Sequence, residues 1–262
     1  LFEQLLRRMD QAIEPLQRRA ELAEKRVWQA IRGRERLAAA RRDADARLHV
    51  LLMRGPLLPS VGEFLAEPWR QLLVQTWLRD GVDSVRYRDA VALGEAMQRL
   101  DADARSGVGR AVADGLIAIE PALRDCCAAC GLDADAATRL LSGLVADLAQ
   151  PDAPRTPQTI TPLAPEGDGF EPAEQGVSPG LASLAVGQRV VDRRPGAAPR
   201  MLRLAWRSPI SSAHLLVNLQ GARERVCTTT ELAGAIARGE LLPRPLQGPV
   251  DAVLRRLEQG AG

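Results

Sequence analysis

The sequence predicts an α+β protein: an N-terminal all-α helical domain with a long coiled-coil-like helix, then a small C-terminal β-barrel with terminal helices. Three observations carry this reading. Apolar residues recur at helical spacing through the first 150 residues. Residues 151–180 then hold seven prolines and four glycines with no period, and beyond them the apolar period shortens to two. The boundaries are accordingly 1–150 for the helical domain, 151–180 for a Pro/Gly-rich linker and 181–262 for the β-domain.

Composition narrows the function classes. A hydrophobic share of 46% supplies ample core, but only 3% is aromatic, so that core is built of Leu, Ala and Val. The formal charge of +2 gives no net pull toward nucleic acid or anionic lipid. Lys25 is the single lysine, so 34 of the 35 basic residues are arginine. Arginine forks suit phosphate, although a GC-rich genome produces the same bias. No apolar run approaches the ~20 residues of a membrane span, and no secretory signal is visible. A start at Leu1 reads as a fragment of a longer chain. Four cysteines without a regular framework predict a reduced, cytoplasmic protein.

The first helical element runs to about residue 48. Phe2, Leu6, Met9, Ile13, Leu16, Ala20, Ala23, Val27 and Ala30 follow at alternating spacings of four and three, the seam of a coiled coil or of a helical hairpin arm. Phe2, Leu6, Met9, Ile13 and Leu16 are the candidate interaction residues, either for a homo-oligomer through this helix or for packing inside a larger helical domain. Pro15 interrupts the seam and predicts a kink, or two helices abutting there.

"RGPLLPSVGEF" (54–64) reads as a Gly/Pro connector. Pro68 suits the first turn of the next helix, where Trp69, Leu72, Leu73, Thr76 and Trp77 form one stripe. The spacing predicts both indoles on the buried side, with Arg70 and Arg79 outside the stripe. Asp80-Gly81 ends that helix, and Ser84 caps the next, whose inner face is Ala90, Leu93, Met97 and Leu100. Helices over about 106–119 and 121–130 follow, separated at Pro121. Asp133 or Asp135 then caps a helix with apolar positions 137, 140, 141, 144, 145 and 148.

Past the linker, "QRVVDRR", "RMLRLAWRS", "AHLLVNLQG" and "RERVCT" read as four short strands. Alternation of Leu202, Leu204 and Trp206 with Met201, Arg203, Ala205 and Arg207 predicts one apolar face. Thr228 with Glu231 is a capping box opening a helix closed by Gly239, and "PVDAVLRRLEQ" predicts a terminal helix. Four strands in so short a stretch predict a small barrel or curled sheet.

The stretch "VGEFLAEPWRQLLVQTWLRDG", the helices behind it, the proline-rich spacer and "VGQRVVD…RLAWRSP…LLVNLQGARERVCTTTELAGAIARGEL" together resemble the C-terminal part of a long proteobacterial family. That family is catalogued as a domain of unknown function, number sixteen thirty-one. Its ending resembles a divergent PilZ domain, a small β-barrel that elsewhere binds cyclic di-GMP. The resemblance implies a ligand site at an Arg-x-x-x-Arg motif, matched by Arg189 and Arg193, and at a second motif of which Asn218 and Gly221 remain. Two guanidiniums can clamp phosphates and stack on guanine. The same pattern also occurs at Arg32/Arg36 and Arg203/Arg207, and the serine of the second motif is missing.

Other constellations point to less. Cys126, Cys127 and Cys130 lack a fourth ligand at a recognised spacing for zinc and read as small helix hydrophobes. His49 and His214 have no matched acid and nucleophile. "SGVGRAVADG" lacks the strand and third glycine of a dinucleotide fingerprint. The sequence thus predicts a non-enzymatic bacterial regulatory or protein-interaction module with a degenerate PilZ-like domain and no cofactor. The alternative is a cyclic di-GMP receptor. A protein partner is expected, with no nucleic acid and no membrane span.

Overall fold

The structure is a computed structural model that describes residues 2–159, 161–163 and 184–244. Seven α-helices, one π-helical turn and five strands are present among them: α1 (Phe2–Leu52), α2 (Pro59–Phe64), α3 (Arg70–Asp80), α4 (Val85–Arg105), α5 (Gly109–Ala129), α6 (Ala134–Leu148), β1 (Arg189–Asp192), β2 (Arg200–Arg207), β3 (His214–Val217), β4 (Arg223–Cys227), α7 (Thr229–Ala237) and β5 (Leu241–Pro243). The fold is α+β. The chain divides into two compact units, one of Leu1–Glu35 with Gly167–Gly262, the other of Arg36–Glu166. The predicted terminal helix over 249–259 lies outside the described residues.

The helical unit is organised around Trp69. This residue is 1% exposed, and its indole N–H donates to the Ala90 carbonyl at 2.6 Å. Leu48, Leu58, Phe64, Leu65, Leu73, Tyr87 and Met97 complete the core around it. The predicted α4 face of Ala90, Leu93, Met97 and Leu100 is buried as expected. Trp77 is half-buried against the same core and carries the Arg36 guanidinium 6.0 Å above its ring.

Several boundaries differ from the sequence reading. The segment predicted as a connector already turns helical at Pro59, because Pro59 sits at a helix start where its missing N–H is harmless. Pro68 lies within the π-helical turn Leu65–Trp69, the wider turn that joins α2 to α3. Pro121 lies inside α5, which is one helix rather than two. Pro15 likewise lies inside a continuous α1. In both cases the carbonyl freed by the ring belongs to an exposed residue, Ile117 or Gln11, where water can satisfy it. The predicted caps hold: Ser84 accepts from the Tyr87 N–H at 3.1 Å, Asp133 from Ala136 at 2.7 Å, and Thr228/Glu231 form the capping box.

Arg70 corrects the stripe argument. Its side chain is 8% exposed, and its Nε donates to Asp45 of α1 at 2.6 Å. A second donor reaches the Thr161 carbonyl at 3.0 Å. Helical spacing predicts which side chains face an apolar neighbour, but not that an acid on another helix will draw an arginine inward. Asp101 does the same for Arg155, which also caps the carbonyls of Pro151 and Ala153. The first part of the Pro-rich segment is thus tied to the helices.

The C-terminal strands form one antiparallel sheet in the order β4-β3-β2-β1-β5. The four predicted strands are present, and β5 is an addition. The sheet is open: β4 and β5 are its edges and do not pair, so the predicted barrel is not closed. Both faces are covered. Val190, Leu202, Leu204, Leu216 and Leu241 pack with Leu232 and Ala235 of α7. On the other face Leu215, Val217, Ala205 and Trp206 pack with Val27, Trp28 and Ile31 of α1. A bulge between Leu204 and Trp206 breaks the predicted one-face alternation, sending Trp206 to the α1 side. With that face satisfied by α1, the apolar strands need no closure to escape water.

Candidate functional site

On the sheet, Arg189 opens β1 and Arg193 follows its end; both side chains are exposed. The motif therefore lies along the strand rather than ahead of it. Four extended residues separate the two α-carbons by about 13 Å. The Arg193 N–H donates to the Glu240 carbonyl at 2.7 Å. Asn218 Oδ1 accepts the N–H groups of Gln220 and Ala222, both at 3.0 Å, and Nδ2 donates to Glu224. Asn218 thus shapes the β3–β4 turn. Gly221, in the same turn at φ 76°, has no space for a side chain: a Cβ there would lie 2.0 Å from the Ala20 carbonyl oxygen of α1. Arg189, Arg203 and Val217 share one row across the sheet. Arg189 is therefore two strand spacings, about 10 Å, from that turn, with Arg193 at the other end of β1.

The candidate interaction residues of α1 divide. Ile13 and Leu16 are exposed, Leu16 at 63%, while the side chains of Phe2, Leu6 and Met9 lie outside the described residues. Further along, the buried face passes through Val27, Trp28, Ile31 and Glu35, and Ala30 is exposed. Spacings of three and four along Trp28, Ile31 and Glu35 place one face of α1 against the sheet. Glu35 was invisible to sequence reasoning except as the next position of that face. It is buried and accepts hydroxyl hydrogen bonds from Ser208 and Ser211 in the β2–β3 turn. Ser208 Oγ in turn accepts the N–H groups of Ile210 and Ser211 at 3.0 and 3.1 Å. These serines are committed to holding a turn. His214 nearby is buried with Nδ1 unpartnered, and burial, helped by the positive charge of Arg207, pushes its pKa down to about 4.

The helical unit holds a larger feature, a groove of about 800 Å3 between α5 and α6. Such a volume is in the range of ligand and peptide sites. Leu116, Leu123, Leu132, Leu141 and Leu144 line it, with Cys127 and small alanines. Ile117 and Val145 stand on it at 72% and 50% exposure. Its polar members include Glu120 and Arg124, paired at 2.7 Å, with Thr138 and Ser142. The signal was present in the sequence: Ile117 and Val145 belong to helical apolar stripes, but periodicity cannot say which stripe a neighbour covers. Cys126 is held as the thiol, pushed up by its hydrogen bond with Cys130 and by burial, and Cys130 Sγ contacts the Pro68 carbonyl at 3.1 Å. Among the described residues no three His, Cys, Asp or Glu side chains form a metal-binding group, and no helix is long and apolar enough to cross a membrane.

The groove and most of the helices around Trp69 fall within one recognisable domain. Residues 30–145 match the DUF1631 third domain. That model describes a protein of unknown function, and the match covers less than half of the chain. The matched segment begins in α1 and ends in α6, so it contains α2 to α5 entirely. The β-sheet lies outside it. No curated protein and no solved structure matches the chain.

Proposed function

We propose that this chain is a non-enzymatic protein-interaction module of a bacterial regulatory system. In this reading the DUF1631 third domain docks a protein partner through the α5–α6 groove, and a degenerate PilZ-like domain serves as scaffold. The observation that carries the reading is the pair Ile117 and Val145, large aliphatic side chains left mostly in water beside an apolar groove. Contiguous exposed apolar surface on a folded domain marks contact sites. The dispersed positions of Arg189, Arg193, Asn218 and Gly221 support a role other than nucleotide capture.

The test is affinity capture from lysate of the source cells with the wild-type chain and an Ile117→Asp/Val145→Asp variant in parallel, both checked for helical content by circular dichroism. A protein retained by the first and lost from the second is the expected result. Identical capture by both removes the groove from the reading. Calorimetry with cyclic di-GMP is the companion measurement: micromolar binding abolished in Arg189→Ala/Arg193→Ala would replace the module with a receptor.

A further inference from the structure

We propose that the occupant of the α5–α6 groove is a second copy of this chain, the two α5–α6 hairpins stacking face to face as an isologous four-helix bundle. The inference rests on the reading of the groove as a docking face and goes on to name the partner.

The argument is the internal symmetry of the lining. In a face-to-face stack with α5 antiparallel to its copy, a two-fold axis at the level of residue 122 sets residue i opposite residue 244 − i of the other chain. Six of the seven α5 lining residues obey this relation, and Leu123 falls opposite Pro121. Leu116 falls opposite Ala128, Ile117 opposite Cys127, and Glu120 opposite Arg124. Large side chains meet small ones, and opposite charges meet. Residue 122 lies seven positions before the end of α5 at Ala129, so the same level on α6 is seven positions after its start at Ala134, which is Leu141. Reflection about Leu141 sets Val145 opposite Ala137. The two most exposed aliphatic residues of the groove, Ile117 and Val145, therefore both point to positions where the other copy has a small lining residue. The exposed Glu120–Arg124 pair becomes half of a ring of four alternating charges.

Size sets the strength. Leu116 to Ala128 spans about 18 Å of helix, and two helices are roughly 20 Å wide, a footprint of about 360 Å2 per copy. Specific complexes bury about 1,200 Å2 or more in total, so this contact makes a weak, concentration-dependent dimer. Ring charges of alternating sign fix its register.

Sedimentation equilibrium of the full chain from about 1 to 200 µM reads the proposal. The wild type is expected to shift from monomer to dimer across that range. Glu120→Arg makes all four ring charges positive, and Arg124→Glu makes them all negative; each should weaken the dimer about tenfold. The double reversal Glu120→Arg/Arg124→Glu restores alternation and should restore the dimer to within about threefold of the wild type. Both Glu120 and Arg124 are exposed on the helix surface, so folding survives, and far-UV circular dichroism verifies it. A monomer throughout the range overturns the second-copy assignment. If that monomer still captures a protein through the groove, the interaction-module reading stands without it; if capture is also independent of the groove, both fall. A dimer indifferent to the single reversals, or one lost instead in Leu6→Asp/Ile13→Asp with the groove variants unaffected, likewise overturns the assignment and moves the contact to α1.

Discussion

Gly94→Ala is the sharpest test of the helical core. Gly94 lies inside α4, where alanine ordinarily stabilises a helix by about 1 kcal/mol. Here a Cβ would lie 2.3 Å from Cε2 and Cζ2 of Trp69 and 2.7 Å from its Nε1. Carbon atoms pack at about 3.5 Å, so the indole must retreat by about 1.2 Å. It has nowhere ready to go, being 1% exposed among Phe64, Leu73 and Met97. Retreat also strains its 2.6 Å hydrogen bond to the Ala90 carbonyl, one turn earlier on the same helix. Overpacking costs about 1–3 kcal/mol and a compromised buried hydrogen bond about 1–3 more. After the propensity gain the expected net loss is about 1–5 kcal/mol. The assay is urea unfolding followed by circular dichroism, with Gly143→Ala as control. Gly143 is exposed on α6 with nothing within 4 Å of its Cβ position, so alanine there should stabilise by up to about 1 kcal/mol. Adding Trp69→Phe to Gly94→Ala should cost less than the sum of the two single changes, because the smaller ring vacates the contested space. If Gly94→Ala raises stability as Gly143→Ala does, the close packing of Trp69 on α4 is refuted.

Three further outcomes follow from the same geometry. Arg70→Ala should destabilise by about 3–5 kcal/mol, because it strands the Asp45 carboxylate and frees the Thr161 carbonyl; chemical denaturation measures it, and a loss below about 1 kcal/mol would show the pair to be solvated. Gly221→Ala should cost more than about 2 kcal/mol and loosen α1 from the β3–β4 turn, since φ of 76° and the Ala20 oxygen both oppose a side chain; hydrogen exchange of the β3 and β4 amides should rise in the variant. His214 is held neutral in the folded state, with its pKa depressed from 6.5 to about 4, so the stability it leaves intact above pH 6.5 is lost as pH falls toward 4. The expected loss is about 2 kcal/mol between pH 7 and pH 5, and His214→Phe should flatten that part of the melting profile; an unchanged slope would refute it.

Local chemistry was legible in the sequence wherever cause and effect lie within a turn or two. Ser84, Asp133 and Thr228/Glu231 were readable as caps because a cap needs only its own oxygen and an amide two or three residues on. The four strands β1 to β4 and the buried face of α4 were readable because period reports which side chains avoid water. Prolines misled for the same local reason. Their lost hydrogen bond is certain, but whether the helix ends depends on whether the orphaned carbonyl can reach water, and at Gln11 and Ile117 it can.

Tertiary structure decided what period cannot state, namely which partner covers each apolar face. The sequence by itself determined that α1 and α6 each carry an apolar stripe and that the C-terminal strands would pair. Only the fold assigned Val27, Trp28 and Ile31 to the outer face of the sheet, drew Arg70 inward to Asp45, and turned Glu35 into the acceptor for Ser208 and Ser211. Only the fold, too, left Ile117 and Val145 uncovered beside a groove. The physical reason is range: hydrogen bonds at caps and turns are settled within a few residues, whereas burial and ion pairing join residues 25 to 179 positions apart, as in Arg70–Asp45 and Arg203–Glu24.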